Sequence, residues 1–516
     1  MSRCCDHKRD LAGVTAHRLC FFVSAAPERP RGGYSLRFSS VDAVVNLAYL
    51  LPAFLAFFIF SGQGIFVNVI AVAPAIGLKR PIDQVADQPK VIVDRSTSAV
   101  PAKLEAANSE ATKSEAVASA AEAPKRAYPA AAELPTQLGP KGLRFDFNDG
   151  ARVVCPEADG PWRVRLWDTE TGNVLFETQF AGGRVNSSKR YYIRFRIEVL
   201  QGENVIFSHE YNATDRHVLI QFPVGTLGDT MGWFPYAVKF KDRHGCKLSC
   251  AMGAPLIELF RDAYPDIEFI THEEVKPERY YATYSVGLFF DDKDCVYQPT
   301  DFRHVGLHRT AGYILGVDPT EQPPRIAIKD DTRPIAEPYV CIAVQSTTQS
   351  KYWNNPHGWR EIVNFLKAAG YRVVCIDQKA THGTQLIWNH IPNGAEDETG
   401  DKPLAERFRY LKHADFFIGL SSGLSWLAWA SGTPVVMISG FTHPTNEFET
   451  PYRIVNFHAC NSCWNDPRVR FDHKDFLWCP RHANSPRQFE CTRLITADHV
   501  KQVIQRIPGF PVGAKA

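Results

Sequence analysis

Two rhythms of apolar and polar positions divide this chain. Between Leu143 and Tyr211 the text is strand-like: LRFDF, RVVC, WRVRLWD, VLFETQF, YYIRFRIEVL and NVIFSHEY, rich in β-branched and aromatic residues and separated in part by the turn segments DTETGN, AGGRVNSS and QGEN. This spacing predicts a small antiparallel β domain, barrel-like or a sandwich, over residues 141–214. After Asp215 the rhythm becomes strand-then-helix. HVLIQFPV, CKLSCAM and DIEFIT read as strands, with GDTMGWFPYAVKFKDRHG and PLIELFRDAY as helices between them. A second alternation starts at Tyr339. YVCIAVQS, YRVVCIDQ, DFFIGLSS and TPVVMISG alternate with PHGWREIVNFLKAAG, PLAERFRYLKHA and GLSWLAWASG. Such alternation predicts parallel sheets covered by helices. The expected fold is α/β: two Rossmann-like domains, 215–325 and 326–516, joined near Gln322-Pro323-Pro324 and preceded by the β domain. Ligands in such sheets sit beyond the carboxyl ends of the strands, and that is where chemistry is sought.

The first 140 residues follow neither rhythm and read as an N-terminal extension. No charged side chain occurs from Ala43 to Gly77, and the run AVVNLAYLLPAFLAFFIF is near the shortest helix able to cross a hydrocarbon core of about 30 Å. Arg3, Lys8, Arg9, Arg18, Arg29, Arg31 and Arg37 precede it, which favours a cytoplasmic N-terminus if the segment inserts. The expectation is a cytoplasmic protein, with residues 43–77 as the one point of inner-membrane association. Pro52 and the polar break at Ser61–Gly64 fit equally an extension without a functional role. Residues 99–133 are alanine-rich, with Glu, Lys, Ser and Pro interspersed, and read as a linker that cannot bury a core.

Composition narrows the function. At 516 residues and 57.9 kDa the chain is long enough for about three domains. Lys and Arg total 58 against 56 for Asp and Glu, a net charge of +2, which argues against nucleic acid or an anionic surface as the main partner. With 45% apolar and 22% charged residues the chain has ordinary globular usage, which excludes wholesale disorder.

Four places stand at predicted strand ends. Gly225-Thr226-Leu227-Gly228-Asp229 follows HVLIQFPV and sets Asp229 at the start of a helix facing the cleft, although an N-cap alone explains an Asp there. Ser346 to Lys351, with Thr347 and Thr348, offers hydroxyls and an ammonium suited to a diphosphate. Ser421-Ser422-Gly423 opens a helix whose first amides face an anion. Glu396, after Asn393-Gly394-Ala395, is placed to accept hydrogen bonds from ribose hydroxyls. Near the C-terminus, Cys460 and Cys463 form a C-x2-C knuckle, followed by Cys479 after 15 residues and Cys491 after 11 more. Four thiolates so close together make a compact metal finger over 458–492. Coordination chemistry favours Zn²⁺ and also admits Fe. His458, His473 and His482 are substitute ligands, and unrelated thiols or disulfides are the alternative.

Gly228-Asp229 followed by Trp233-Phe234-Pro235 resembles the Gly-Asp…Leu-Pro turn of bacterial lipopolysaccharide heptosyltransferases, two-domain GT-B glycosyltransferases that use ADP-heptose. Thr347-Thr348 with Lys351 and Trp353 is similar to their nucleotide-sugar loop. Ser421-Ser422-Gly423-Leu424-Ser425-Trp426 stands in place of their Asp-Thr-Gly-Leu-Ser-His, with Ser421 for Asp and Trp426 for His. Together with GDTMGWFPYAVKFK, STTQSKYWNNP and CNSCW, these features resemble the autotransporter heptosyltransferases over roughly residues 142–510. The resemblance implies a GT-B fold with a β domain and a four-cysteine iron finger holding one structural iron per chain. It implies inverting transfer of heptose from ADP-heptose to serine hydroxyls of an autotransporter passenger protein, by a large homo-oligomer. On it, Asp229 is the base and Gly228 and Trp233 form the acceptor-side turn. Thr347, Thr348, Lys351, Glu396, Ser421, Ser422 and Gly423 hold the donor, and Cys460, Cys463, Cys479 and Cys491 hold the metal. A lipopolysaccharide core heptosyltransferase, or a membrane-tethered metal-finger binding module, are the competing expectations.

Overall fold

The structure, a computed structural model, describes residues 128–511 throughout and, before them, the backbone of strands Tyr34–Arg37, Leu55–Ser61 and Gly64–Ile70. The chain divides into two units, 1–86 and 87–516. In the first, the three strands form an antiparallel sheet with Gly64–Ile70 central, and Ser61 pairs with Gly64 across a two-residue turn. This corrects the expectation of a spanning helix at Ala43–Phe60, whose later part is extended. Pro52 cannot sit inside a helix without breaking a hydrogen bond, and Phe57-Phe58-Ile59-Phe60 followed by Gly62-Gln63 is a strand and hairpin signal. No helix among the described residues is long and apolar enough to cross a membrane. The alanine-rich linker lies outside the described residues up to Ala127.

In the second unit, strands Asn204–Glu210, Phe195–Gln201, Trp162–Asp168 and Asn173–Phe180 form one antiparallel sheet in that order. Trp162, Val164, Leu166, Ile197 and Val199 alternate inward along its two central strands, as a half-buried sheet requires. The other early strands go elsewhere. Arg144–Asn148 pairs in parallel with Ala282–Ser285, and Arg152–Cys155 and Gly183–Asn186 follow it antiparallel. They thereby extend the first α/β sheet, whose remaining order is Glu268–Ile270, Lys247–Ala251, His217–Gln221, Ala282–Ser285, all parallel. Its central strands are buried mainly through Val218, Leu219, Ile220, Leu248 and Cys250, with Gln221, Ser249 and Thr283 as buried polar exceptions, and helices Leu227–His244 and Ala254–Phe260 cover them.

The third sheet is parallel throughout: Glu396–Asp397, Arg372–Cys375, Tyr339–Ile342, Phe416–Leu420, Val435–Ile438, Arg453–Ile454. Helices Gly358–Ala368, Leu404–His413 and Gly423–Ala430 connect its strands, and Ala497–Ile504 packs back on Gly358–Ala368 through Ile362, Val363, Val500 and Ile504. The two α/β sheets are those expected from the alternation, and with the preceding antiparallel sheet they give the GT-B-like architecture that the resemblance implies.

The α/β units meet helix against helix. A Cβ on Gly228 would lie 2.7 Å from Cδ1 of Trp426 and 3.2 Å from Cα of Gly423; one on Gly423 would lie 3.2 Å from Cβ of Leu227. Glycine at both positions lets the N-termini of helices Leu227–His244 and Gly423–Ala430 abut. Trp426 fills the seam, edge-on to His308 at 5.5 Å and against Gly232.

Candidate active site

Asp229 lies in the first turn of helix Leu227–His244, directly beyond the carboxyl end of strand His217–Gln221. The chain turns there through Gly225, at φ 86°. Burial pushes the Asp229 carboxyl up to about 6, and the Lys351 ammonium opposes that rise. Among the described residues no hydrogen bond or ion pair engages this carboxylate, although a partly buried charge without partners is costly. Tyr128, the first continuously described residue, is held above the usual phenol range by burial and by the nearby Asp229 charge; its hydroxyl donates to the Val286 carbonyl at 3.0 Å.

The loop 346–351 approaches from the third sheet. Its entry is braced by Asp377, a buried carboxylate that accepts the amides of Val344 (2.7 Å) and Gln345 (3.3 Å). Burial pushes this carboxyl also to about 6, with those two amides and Arg407 opposing. Thr347 is exposed, whereas Thr348 is buried with its hydroxyl 2.8 Å from that of Ser350. The Lys351 ammonium lies 5.5 Å from the Phe441 ring centre and 5.7 Å from that of Trp464. Burial lowers its pKa, and the Asp229 and Glu447 carboxylates act in the opposite sense. Two of the sequence-selected groups, Asp229 and Lys351, thus face each other electrostatically from separate sheets.

Ser421, Ser422 and Gly423 sit between strand Phe416–Leu420 and helix Gly423–Ala430. The Ser421 hydroxyl donates to Glu447 Oε1 at 2.5 Å, while the Ser422 hydroxyl is buried without a partner. Two selected residues are committed elsewhere. Trp233 is 1% exposed and donates its indole N–H to the Leu307 carbonyl at 2.7 Å. Glu396 takes a bidentate pair from Arg372 at 2.9 and 2.5 Å, and that guanidinium holds its carboxyl below the usual range. Sequence reading missed Glu447, Asp377 and Tyr128. Asp377 lies two residues past the apolar strand Arg372–Cys375, the kind of position that selected Asp229, whereas Glu447 lies nine residues past Val435–Ile438 with no local signal.

The finger packs on the site. Trp464, Phe471 and Trp478 cluster with Phe302 and Phe441, and the Gln349 amide donates to the Phe476 carbonyl at 2.8 Å. Cys460, Cys463, Cys479 and Cys491 are free thiols. Burial pushes Cys463 and Cys491 up to about 12, and each of them feels other thiols of the set. None of the four is in a disulfide, and thiols are donors suited to a soft metal ion. Cys460, His482 and Glu490 also offer donor atoms within 4.8 Å of one another. His473 instead packs edge-on against Phe471, and His458 is exposed.

Comparison with known proteins decides the family. Residues 139–203 match the glycosyltransferase TibC N-terminal domain, and residues 312–472 match glycosyltransferase family 9, the heptosyltransferases. The autotransporter heptosyltransferase BAHTCr of Citrobacter rodentium is 57% identical over 377 residues, 73% of this chain and 91% of the relative. The chain belongs to the autotransporter heptosyltransferases. TibC of Escherichia coli H10407 is 55% identical over 377 residues, 73% of this chain and 92% of TibC. A crystal structure of TibC, described as dodecameric, iron-containing and in complex with ADP-D-β-D-heptose, superposes with a TM-score of 0.71 at 53% identity. It covers 74% of this chain and 99% of that one. BimC of Burkholderia thailandensis, 51% identical over 385 residues, is named an inactive autotransporter heptosyltransferase. Within this family, then, competence rests on the site rather than on membership alone.

Proposed function

We propose that this chain transfers heptose from ADP-heptose to serine hydroxyls of an autotransporter passenger protein, with inversion at the anomeric carbon. The observation that carries the reading is that Asp229, on helix Leu227–His244, and Lys351, on the loop after strand Tyr339–Ile342, lie in each other's field from separate sheets, with no hydrogen bond on the carboxylate among the described residues. The Asp229 carboxylate takes the proton of the incoming hydroxyl as the sugar–oxygen bond forms. A base with its acidity near 6 is mostly ionised at neutral pH and still basic enough to accept a proton. Lys351, the exposed Thr347 and the amides after Ser422 receive the charge that develops on the departing ADP, and positioned donors of this kind are worth a few kcal/mol each. Thr348 shapes the loop through Ser350. Leu227-Gly228 and Gly423 set the spacing across the seam, and Trp233 anchors helix Leu227–His244 beneath it.

The four cysteines would hold one iron, with zinc as the alternative; an S4 set is coordinatively closed, so the ion ties the finger together. The finger's aromatic residues then wall the Lys351 side of the site. By this reading the enzyme acts in the cytoplasm as a large homo-oligomer.

The test is to incubate the full-length chain with ADP-heptose and a passenger fragment and weigh the intact acceptor. Mass increments of whole heptose units support protein O-heptosylation. Release of ADP only with a lipopolysaccharide core acceptor would transfer the reading to the lipopolysaccharide enzyme. Silence with both acceptors would overturn transfer and leave the metal-finger binding module.

A further inference from the structure

Glu447 is the most completely sealed carboxylate near the site, 1% exposed. It lies past the end of strand Val435–Ile438, beyond the short turn Pro444–Asn446. Its Oε2 accepts from Arg453 Nη1 at 2.9 Å, and its Oε1 accepts from Asn446 Nδ2 at 3.3 Å and from Ser421 Oγ at 2.5 Å. Buried this deeply, Glu447 is removed from any ligand. Ser421, 8% exposed just past strand Phe416–Leu420, is the partner that keeps some exposure.

A hydroxyl carries one proton and two acceptor positions. The carboxylate can only accept, so the Ser421 proton is committed inward and the serine oxygen offers lone pairs alone to whatever stands before it. We propose that Glu447 fixes Ser421 as a pure acceptor that reads a hydroxyl of the donor's sugar, which makes Glu447 a positioning residue for donor specificity. This rests on the ADP-heptose reading above and extends it to the sugar end of the donor. Beside it the buried Ser422 hydroxyl has no hydrogen-bond partner among the described residues, a second polar group left unsatisfied at this strand end.

The isosteric amide separates this from a packing role. In Glu447→Gln, an amide oxygen kept toward Ser421 forces the amide nitrogen against the Arg453 guanidinium, donor against donor. With the amide flipped, Ser421 becomes an acceptor from Gln and a donor to the cleft. The first keeps Ser421 as an acceptor but sets two donors face to face, so the second prevails; it removes the sugar contact and leaves the adenosine and diphosphate contacts in place.

The experiment measures dissociation constants of ADP-heptose and of ADP for the full-length wild type, Glu447→Gln, Ser421→Ala and the double variant. ADP-heptose should weaken about tenfold in each single variant and no further in the double, as expected for two residues acting as one unit, with ADP changed less than about twofold. Parallel loss of ADP and ADP-heptose affinity would make Glu447 a structural residue and overturn the proposal. Ser421→Ala binding ADP-heptose as wild type would overturn it too, and this small substitution decides the matter if Glu447→Gln does not fold. Multiplying effects in the double variant count against it equally. Wild type that binds ADP but gains nothing from the heptose would overturn the donor reading itself, a result read before any variant is made.

Discussion

Asp229 and Asp377 are two carboxyls that burial pushes to the same acidity, about 6, and they do opposite things. Asp377 is enclosed by donors: the amides of Val344 and Gln345 point at it, and Arg407 adds its field. Its charge is spent on holding the loop that carries Lys351. Asp229 has no such donors among the described residues; what faces it is Lys351, from the other sheet. A shifted acidity therefore does not mark a catalytic group by itself. The partners differ: amides on Asp377 make it a brace, whereas Asp229 lies in the field of Lys351 with no hydrogen bond among the described residues, which is why Asp229 is the proposed base.

The comparison breaks most sharply by substitution. Asp229→Asn should lower transfer between about a hundredfold and ten-thousandfold while ADP-heptose affinity holds within about threefold, read by acceptor mass and donor titration. Lys351→Met should cost about a hundredfold in transfer. Because Lys351 opposes the rise at Asp229, its loss should also move the acid limb of the rate profile to higher pH. Asp377→Asn leaves one loop amide without its acceptor and should raise KM for ADP-heptose about tenfold with a much smaller change in kcat.

Stability carries its own signature. The folded acidity of Asp229 lies above its ordinary value, so folding favours the protonated form. This group's penalty is present above about pH 6 and is relieved as pH falls from 6 toward 4. Asp229→Asn should therefore be more stable than wild type at pH 8 by on the order of 1–2 kcal/mol, with the gap closing near pH 4 in urea titrations. The smallest effect belongs to Glu396→Gln. Its Arg372 pair is 41% and 40% exposed, and pairs of that kind contribute about 0–1 kcal/mol, so KM for the donor should stay within about twofold.

Much of this was legible in the chain before the structure. The alternation of apolar runs with helical periods placed both parallel sheets, because strands buried on two faces leave an unmistakable continuous signal. Asp229, Lys351 and Ser421 followed from looking past the carboxyl ends of those strands. What escaped depended on distant partners. Nothing in RFDFN says that it will lie beside ATYS, 135 residues away for Thr283 and Asn148, and extend the first sheet. Neither Glu396, after Asn393-Gly394-Ala395, nor Glu447, after Pro444–Asn446, gives a local sign of its partners. Only the fold reveals that Arg372 occupies the first while Ser421 and Arg453 enlist the second. The apolar N-terminal run was read by length as a helix, whereas its part Leu55–Ser61 is a strand, as its aromatic and β-branched residues favour.

The most direct measurement is the pH dependence of single-turnover transfer by wild type and Asp377→Asn at saturating ADP-heptose. The account predicts an acid limb at about pH 6 in both, because the titrating base is Asp229 and survives the substitution. A limb that vanishes or shifts in Asp377→Asn, or a wild-type profile flat through pH 5–7, would contradict it.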